Sequence, residues 1–366
     1  MSFSLGRLFK ITVFGESHGF GVGVVVDGCP AGLRLSESDV QVELERRRPK
    51  DSITSTSRRE VDKVRILSGV FNGFTTGAPI CMLIPNEDVR SDYYELIKNI
   101  PRPGHADYVA RIKYGGYNDY RGGGIFSGRI TAAIVAAGAV ALKLLRHVGV
   151  KVLAHTVNIG GVEVEGLDTN DIDKLEKAVE ESPVGCADPK KSEEMLRVIT
   201  EVALRGDSVG GIAEVLIHNV PPGIGEPLFD TLEGDLAKAF FAIPGVKGVE
   251  FGVGFKAASM LGSQYNDQLV VVGGRVVTLT NNCGGVQGGI SNGMPIVCRV
   301  VFRPPSSIKI PQRSVDLSRL EEVEVRLNGR FDPCILPRAL PVLKSVAAIV
   351  LVDHLIISQV IPRVLR

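Results

Sequence analysis

The segment TAAIVAAGAVALKLLRHVG (131–149) and its counterpart LPVLKSVAAIVLVDHLII (340–357) carry small residues on every face of a helix. A helix that is apolar all round is buried in a protein core or in a membrane. Asp353 and His354 interrupt the second segment, which favours a core helix over a membrane span. Two buried helices need apolar partners on their outer faces, so the pattern predicts helices packed between sheets.

The segments that precede these two helices also resemble one another. The stretch VVVDGCPAGL (24–33) is echoed by VLIHNVPPGI (215–224), and NGFTTGAPICMLI (72–84) by GGISNGMPIVCRVVF (288–302). The order strand, P-x-G turn, helix, strand pair and apolar helix therefore occurs twice. This repetition predicts an internal duplication in which two similar halves share one core.

The predicted fold class is α+β, with one domain over residues 1–366 and pseudo-repeats at about 1–150 and 210–366. Short turns such as NGFTTG join alternating apolar runs, which indicates antiparallel strands. Between the halves, the polar segment 166–209 is typical of two surface helices. We therefore expect helices packed between two antiparallel sheets.

The composition is that of a globular protein: 44% of the residues are apolar, 23% are charged, and the net charge is +1. A nucleic-acid-binding protein would carry an excess of Lys and Arg, so we do not expect that class. Arginine is concentrated in RRRPK (46–50) and SRRE (57–60), which form either solvated faces or an anionic-ligand site. The cysteines are scattered without zinc spacing, and the N-terminus lacks an apolar signal core. These features predict a cytoplasmic protein with free thiols, no metal site and no membrane anchor.

Two histidines stand beside glycines and acidic residues in a chain that has only six. His18 lies in GESHGFGVG (15–23), where a strand follows the glycines, so the stretch is no dinucleotide-binding fingerprint. His105 lies in RPGHADYVARIKYG (102–115), after a Pro-Gly turn. Each histidine is either structural or a general acid or base on a loop open to ligand, and the pair favours acid–base chemistry.

Two glycine-rich regions could bind anions. In DYRGGGIFSGRITAA (119–133), Ser127 and Arg129 lead into the buried helix, where free N–H groups and the helix dipole favour an anion. A flexible hinge is the alternative, and without a GK[ST] ending we do not expect nucleotide hydrolysis. The other region offers glycines, serines and arginines that could cradle a phosphorylated cofactor or form ordinary loops; it comprises NNCGGVQGGISNG (281–293), FRPPSSIKIP (302–311) and NGRFDPCILPRALP (328–341).

Asp353 is a carboxylate within an apolar helical pattern. Burying it is costly unless it is paired or takes part in chemistry. A structural pairing with a core arginine and a catalytic role are both open.

In this order, the stretches resemble the chorismate synthase family over nearly the whole chain. The matching motifs are GESHG, RRRP, SGVFNGFTTGAPI, RPGHADY, DYRGGG, GEPLFD, GVKGVE, GGVQGGIS, the Pro-Ser-Ser segment, GRFDPC and VDH. The resemblance implies a β-α-β sandwich assembled as a homotetramer. It also implies the reaction, a 1,4-anti elimination of phosphate from 5-enolpyruvylshikimate 3-phosphate. That reaction gives chorismate and requires reduced FMN without net redox change.

The resemblance further implies roles for the candidate residues. His18 would protonate the leaving phosphate, and His105 would protonate the reduced flavin or keep it in its working ionisation state. Asp353 would act with flavin N5 to take up the proton lost from the substrate ring. Ser17 and Ser127 would relay protons, and the substrate would be bound by Arg47, Arg129 and Arg338.

The flavin would lie against Ile125, Phe126, Ser127, Gly284, Gly288, Arg303, Pro304, Pro305, Ser306, Ser307 and Arg330. This chain departs from the family pattern at Ile53, Ile125, Phe126 and Phe331, which leaves the electrostatics around the flavin open. NADPH is implied only as a possible reductant of the flavin.

The sequence alone leaves two other functions open. A flavin-dependent oxidoreductase would consume reduced FMN stoichiometrically, whereas the lyase regenerates it in each cycle. A binding protein that kept the fold would release no phosphate, and the presence of His18, His105 and Asp353 argues against it.

Overall fold

Two five-stranded antiparallel sheets form the outer layers of the protein, which a computed structural model describes over residues 3–48, 61–87, 92–329 and 331–365. The first sheet consists, in spatial order, of β1 (Ser4–Leu5), β2 (Lys10–Gly15), β3 (Gly21–Asp27), β7 (Ile80–Pro85) and β4 (Arg65–Ile66). The second consists of β11 (Val246–Phe251), β16 (Ile296–Phe302), β10 (Gly211–His218), β8 (Lys151–Ile159) and β9 (Val162–Glu163).

Four hairpins stand outside the two sheets. They pair β5 (Val70–Phe71) with β6 (Phe74–Thr75), β12 (Leu269–Val272) with β13 (Arg275–Thr278), β14 (Val286–Gln287) with β15 (Ile290–Ser291), and β17 (Gln312–Asp316) with β18 (Glu321–Val325). The first of them is the turn expected at NGFTTG, where Asn72 has a φ of 50°. Asparagine tolerates that left-handed conformation better than most residues do.

Helices separate or follow the strands along the described part of the chain. They are α1 (Glu37–Arg47), α2 (Asp92–Ile97), α3 (Asp107–Lys113), α4 (Thr131–His147), α5 (Ile172–Glu181), α6 (Pro189–Leu204), α7 (Leu232–Phe241), α8 (Gly262–Tyr265) and α9 (Leu336–Ile357). Short 3-10 turns occur at Arg121–Phe126, Gly128–Ile130 and Gly254–Ser259. The segment predicted as two surface helices contains α5 and α6, which pack against β8.

The apolar helices α4 and α9 form the middle layer. Helix α4 packs against β3 and β7 of the first sheet, α9 packs against β8 and β10 of the second, and the two helices contact each other. Gly138 permits this contact, because a Cβ added there would lie 2.7 Å from Cα of Ser345 in the other helix. The predicted layering of helices between antiparallel sheets is thus confirmed.

By length and composition, the segments Gly128–His147 and Leu336–Ile357 could each cross a membrane. In the structure, 78% of each apolar window is buried inside the protein. The sheets on either side supply the apolar surroundings that these helices need. Their hydrophobicity is therefore explained by the core.

Both halves of the chain use the same order of elements. The first half runs β2, β3, α1, β7 and α4, and the second runs β8, β10, α7, β16 and α9. Because β8 spans Lys151–Ile159, this second half begins before the predicted boundary near residue 210. In each sheet the first of these strands pairs with the second, and the second pairs with the third. The duplication stays a prediction, since a shared order of elements can also arise without a common origin.

Candidate functional site

A cleft of about 310 Å³ lies where the first turns of α4 and α9 meet the ends of α1 and α7. Its walls come from distant parts of the chain. They include many of the residues predicted to bind substrate or cofactor, namely Arg47, His105, Phe126, Ser127, Arg129, Arg303, Pro305, Ser306, Ser307 and Arg338. The fold therefore brings most of the predicted binding residues into one place.

Asp62 lies between two of the predicted substrate arginines. Its Oδ2 accepts a hydrogen bond from Nη1 of Arg47 at 3.2 Å, and its Oδ1 accepts one from Nη1 of Arg129. All three side chains are buried. Asp62 also has a φ of 53°, in the left-handed region that non-glycine residues rarely adopt. Such a strained conformation persists only where the surrounding structure enforces it. Asp62 is therefore held in one position, and it keeps the two guanidinium groups at a fixed spacing.

Arg47 ties the end of α1 to the start of α4. Its Nε donates to Oγ1 of Thr131 at 2.9 Å, and its Nη2 donates to the carbonyl of Gly128 at 2.9 Å. Burial lowers the pKa of Arg47 to about 10, and the positive charge of Arg338 acts in the same direction. A bound anion would offset both effects, as expected of a site built for an anionic ligand.

Asp332 pairs with the third arginine. Its Oδ2 accepts a hydrogen bond from Nη1 of Arg338 at 2.6 Å, and both residues line the cleft. Asp332 lies in the motif GRFDPC, just before α9 begins. The motif predicts a role for its arginine and a departure from the family at Phe331, but it does not by itself point to the carboxylate. Asp332 is a functional candidate that was missed.

His105 is held by a carboxylate and an arginine. Its Nδ1 lies 2.6 Å from Oδ1 of Asp107, whose Oδ2 accepts a hydrogen bond from Nε of Arg102 at 2.7 Å. The guanidinium of Arg102 in turn lies over the ring of Tyr94, 5.7 Å from its centre. The imidazole is therefore oriented by charged neighbours at the edge of the cleft.

The glycines of DYRGGG form the contact between the two predicted histidines. Gly122, Gly123 and Gly124 all have positive φ, at 60°, 85° and 54°, a conformation that glycine adopts at no steric cost. A Cβ on Gly122 would overlap the imidazole of His18, and one on Gly123 would lie 2.7 Å from Cε1 of His105. Gly122 and Gly123 leave room for the two rings to pack against the backbone, and a Cβ on Gly124 would overlap the carbonyl oxygen of Asp119.

His18 and Ser17 lie behind this turn and do not line the cleft. Nδ1 of His18 is 3.3 Å from Oγ of Ser17, and the backbone N–H of Ser17 donates to the carbonyl of Gly124 at 3.2 Å. The ring also makes an edge contact with Tyr94, with 5.1 Å between centroids. The turn at 122–124 thus separates His18 from His105 by the thickness of a backbone.

Asn86 connects the His18 turn to Arg129. Its Oδ1 accepts a hydrogen bond from Nε of Arg129 at 2.8 Å, while its Nδ2 donates to the carbonyls of Glu16 and Gly19, each at 2.9 Å. One side-chain amide therefore fixes the first histidine relative to a substrate arginine. No motif in the sequence points to Asn86 or Asp62, because the residues that they bind are remote in the chain.

The remaining wall of the cleft combines an apolar surface with a cationic one. The apolar part comes from Phe126, Ile335, Ala339 and Val342, and the polar part from Arg303, Ser306 and Ser307. Gly104 keeps the polar part close to the His105 turn, since a Cβ there would lie 3.3 Å from Cβ of Ser306. A flat apolar ring that carries a phosphate matches this set of groups, so the residues present fit a flavin mononucleotide.

The structure does not place Asp353 in the cleft. Its Oδ1 accepts hydrogen bonds from the backbone N–H groups of Arg7, Leu8 and Phe9 at 3.0, 2.7 and 2.8 Å. Its Oδ2 accepts one from Nε of Arg7 at 3.2 Å. Asp353 thus joins the N-terminal segment to α9, which favours the structural pairing with an arginine that the sequence left open; its catalytic role stays a prediction.

Several predicted flavin contacts also lie elsewhere. Gly284 is buried, and a Cβ there would lie 2.8 Å from Cα of Gly252 and from the carbonyl oxygen of Val297, so this glycine serves packing. Gly288 is exposed in the β14–β15 hairpin, and Ile125 and Pro304 adjoin the cleft without lining it. These four residues do not line the cleft, and their contacts with the flavin stay predictions. The predictions for Arg330 and Ile53 fall outside the described residues.

A family model described as chorismate synthase matches residues 9–356. A chorismate synthase from Pyrococcus abyssi is 54% identical over 355 residues, which cover 97% of this chain and 98% of the relative. One from Korarchaeum cryptofilum is 52% identical over 354 residues, with 97% of each chain covered. One from Dehalococcoides mccartyi is 48% identical over the full length of both chains.

A solved structure gives the same result for the fold. The chain is similar to a protein described as "Crystal Structure of Chorismate Synthase", with a TM-score of 0.75 and 34% sequence identity. The match covers 96% of this chain and 93% of the other. The resemblance seen in the motifs therefore extends over the whole fold.

Proposed function

The chain belongs to the chorismate synthase family and is a carbon–oxygen lyase of the shikimate pathway, and we propose that its reaction takes place in the cleft between α4 and α9. The reaction is the 1,4-anti elimination of phosphate from 5-enolpyruvylshikimate 3-phosphate. The observation that carries this location is the convergence of Arg47, Arg129 and Arg338 on one cleft. The substrate has two carboxylates and a phosphate, which such a set of guanidinium groups would bind.

The charge balance of the cleft supports this role. The three arginines face two carboxylates, Asp62 and Asp332, which leaves a net positive charge even before Arg303 is included. Asp62 holds Arg47 and Arg129 in place, Asp332 holds Arg338, and each arginine still has N–H donors left. A strongly anionic substrate would therefore find its partners already oriented, which lowers the cost of binding.

Reduced FMN is proposed as the cofactor. Arg303, Ser306 and Ser307 would hold its phosphate, and Phe126, Ile335 and Val342 would contact its ring. When bound, the reduced flavin supplies electron density to the allylic C–O bond as the phosphate leaves. The protein supplies position and charge.

The chain's own groups would handle the protons. His18 would provide a proton to the departing phosphate. Since His18 and Ser17 lie behind the turn at 122–124, that proton would reach the cleft through a hydroxyl relay that ends at Ser127. His105 would keep the cofactor in its working ionisation state. Since Asp353 is bound to Arg7, we assign the uptake of the proton from the substrate ring to Asp332, which lines the cleft beside Arg338.

The test is an anaerobic assay of phosphate release from the enolpyruvyl ester with dithionite-reduced FMN. We expect many turnovers per flavin, because the elimination has no net redox change. Stoichiometric oxidation of the flavin would instead support the oxidoreductase. Absence of phosphate release with correctly folded protein would support a binding protein and overturn the proposal.

Arg129→Ala should raise KM for the substrate by about one to two decades and lower kcat less. The reason is that a charge-assisted contact is worth roughly 1.5–3 kcal/mol, and Arg129 is assigned to binding. The matched control is Arg197→Ala, since Arg197 on α6 is 70% exposed and only loosely paired with Glu193. Steady-state kinetics on the folded variants measures KM and kcat. An unchanged KM would remove Arg129 from the substrate site.

We also propose a cytoplasmic homotetramer that binds no nucleic acid, with NADPH acting only as a possible source of electrons for the flavin. Exposed apolar side chains on the β12–β13 hairpin support an assembly: Leu269, Val271, Val272 and Val276 are each more than half exposed. Such a surface is unfavourable in water unless another chain covers it. Light scattering on the purified protein tests the assembly.

A further inference from the structure

The carboxylate of Asp107 is surrounded by donors. Arg102 donates to it from Nε at 2.7 Å, from Nη2 at 2.8 Å and from its backbone N–H at 3.0 Å. Together with Nδ1 of His105, these donors hold the pKa of Asp107 well below its usual range, although burial opposes them. Asp107 is therefore ionised at any pH at which the enzyme works, and it can only accept hydrogen bonds.

An ionised Asp107 decides where the proton on His105 sits. Nδ1 of His105 is 2.6 Å from Oδ1 of Asp107, a distance that requires a proton between the two atoms. In the neutral ring that proton is the only one, so Nε2 carries the lone pair. Nη2 of Arg102 donates to Oδ1 of Asp107 at 2.8 Å. It lies almost equidistant from the two ring nitrogens, 3.0 Å from Nδ1 and 3.3 Å from Nε2, so it does not approach Nε2 along the direction of its lone pair.

The tri-glycine turn limits the ring from the other side. A Cβ on Gly123 would lie 2.7 Å from Cε1 and 3.1 Å from Nε2 of His105. The turn continues directly into Phe126 and Ser127, which line the cleft together with His105. The imidazole is thus held between a carboxylate at Nδ1 and a backbone turn at its opposite edge.

We propose that Asp107 is a positioning residue for the reaction: it fixes His105 in the Nδ1–H tautomer, leaves Nε2 as the nitrogen that exchanges protons with a ligand, and is itself clamped by Arg102. This inference rests on the proposed function only in giving His105 a part in the reaction. The orientation of the ring is a property of the free protein. It can therefore be measured without turnover.

The charges around His105 determine in which direction its pKa should change when Asp107 is replaced. Burial lowers the pKa of His105, the nearby cations Arg102 and Arg303 lower it further, and Asp107 raises it. Replacing Asp107 by a neutral amide removes the opposing contribution. The pKa of His105 should then fall, and the inflection in the pH profile should move to lower pH, whichever form of the ring is active.

The experiment is a pair of measurements on Asp107→Asn. Side-chain nitrogen NMR, with the His105 signals assigned from His105→Gln, reports the tautomer and the pKa in the ligand-free protein. We expect a single Nδ1–H tautomer in the wild type. The variant should show a mixture of tautomers, because an amide can either accept from or donate to Nδ1, and the pKa of His105 should be lower than in the wild type. Turnover should fall roughly tenfold to a hundredfold.

Three variants sharpen the result. Asp107→Glu keeps the negative charge. It should therefore restore part of the turnover and bring the pKa of His105 back toward that of the wild type. Arg102→Gln removes a cation and should raise the pKa of His105, opposite to Asp107→Asn. Asp168→Asn, at an exposed loop position, controls for the substitution itself and should change neither measurement.

The NMR measurement and the turnover assay distinguish a failure of the positioning role from a failure of the proposed mechanism. An unchanged tautomer and pKa in Asp107→Asn would overturn the positioning role. A changed tautomer and pKa with unchanged turnover would leave Asp107 as the partner of His105 but would remove His105 from the proposed mechanism.

Discussion

His18→Ala should lower turnover by a factor of about 10²–10⁴, the usual contribution of a general acid, while the affinity for reduced FMN changes little. The imidazole is 9% exposed and packs against the turn at Gly122 rather than against the apolar wall of the cleft. Alanine removes the proton donor proposed for the leaving phosphate and leaves the flavin contacts in place. The loss should therefore appear in kcat rather than in flavin binding.

Anaerobic phosphate release and a fluorescence titration with FMN make the measurement. His147→Ala is the matched control, because His147 lies exposed at the C-terminal end of α4. It should retain full activity. A decrease of less than about tenfold in His18→Ala would show that His18 is not the acid, and a parallel loss of flavin binding would make its role structural.

Asp353→Asn should destabilise the protein by about 3–5 kcal/mol, the range expected when one partner of a buried charge network is removed. Three consecutive backbone N–H groups and the side chain of Arg7 converge on this carboxylate. Asparagine has one oxygen where the carboxylate has two, and its NH2 group would face donors. The segment from Arg7 to Phe9 would then lose its attachment to α9.

Urea denaturation followed by circular dichroism measures the loss. Asp230→Asn is a close control, since Asp230 binds the same Arg7 at 3.0 Å but is 58% exposed, and it should cost less than about 1 kcal/mol. The folded fraction of Asp353→Asn should keep wild-type turnover. A stable variant that has lost activity would return Asp353 to the mechanism.

Most of the candidate site could be predicted from the sequence through its motifs. His105, Ser127, Arg129, Arg303 and the Pro-Ser-Ser segment were found because glycine-rich or proline-rich turns place them next to one another in the chain. The roles of Asp353 and Asp332 could not be told apart in this way. Asp332 lies just before α9 and Asp353 within it, and only their surroundings distinguish a buried anchor from a residue at a cleft.

What the sequence determined by itself is the pattern of burial: two apolar helices, alternating strands around them, and polar helices outside. That pattern depends on residues a few positions apart, because helical and strand periodicity are local. What only the tertiary structure decided is which charged groups meet. Arg7 and Asp353 are 346 positions apart, and Arg129 and Asp62 are 67 apart. A charge is stabilised or not by the few neighbours that folding brings within hydrogen-bonding distance, so its role depends on the packed structure rather than on local sequence.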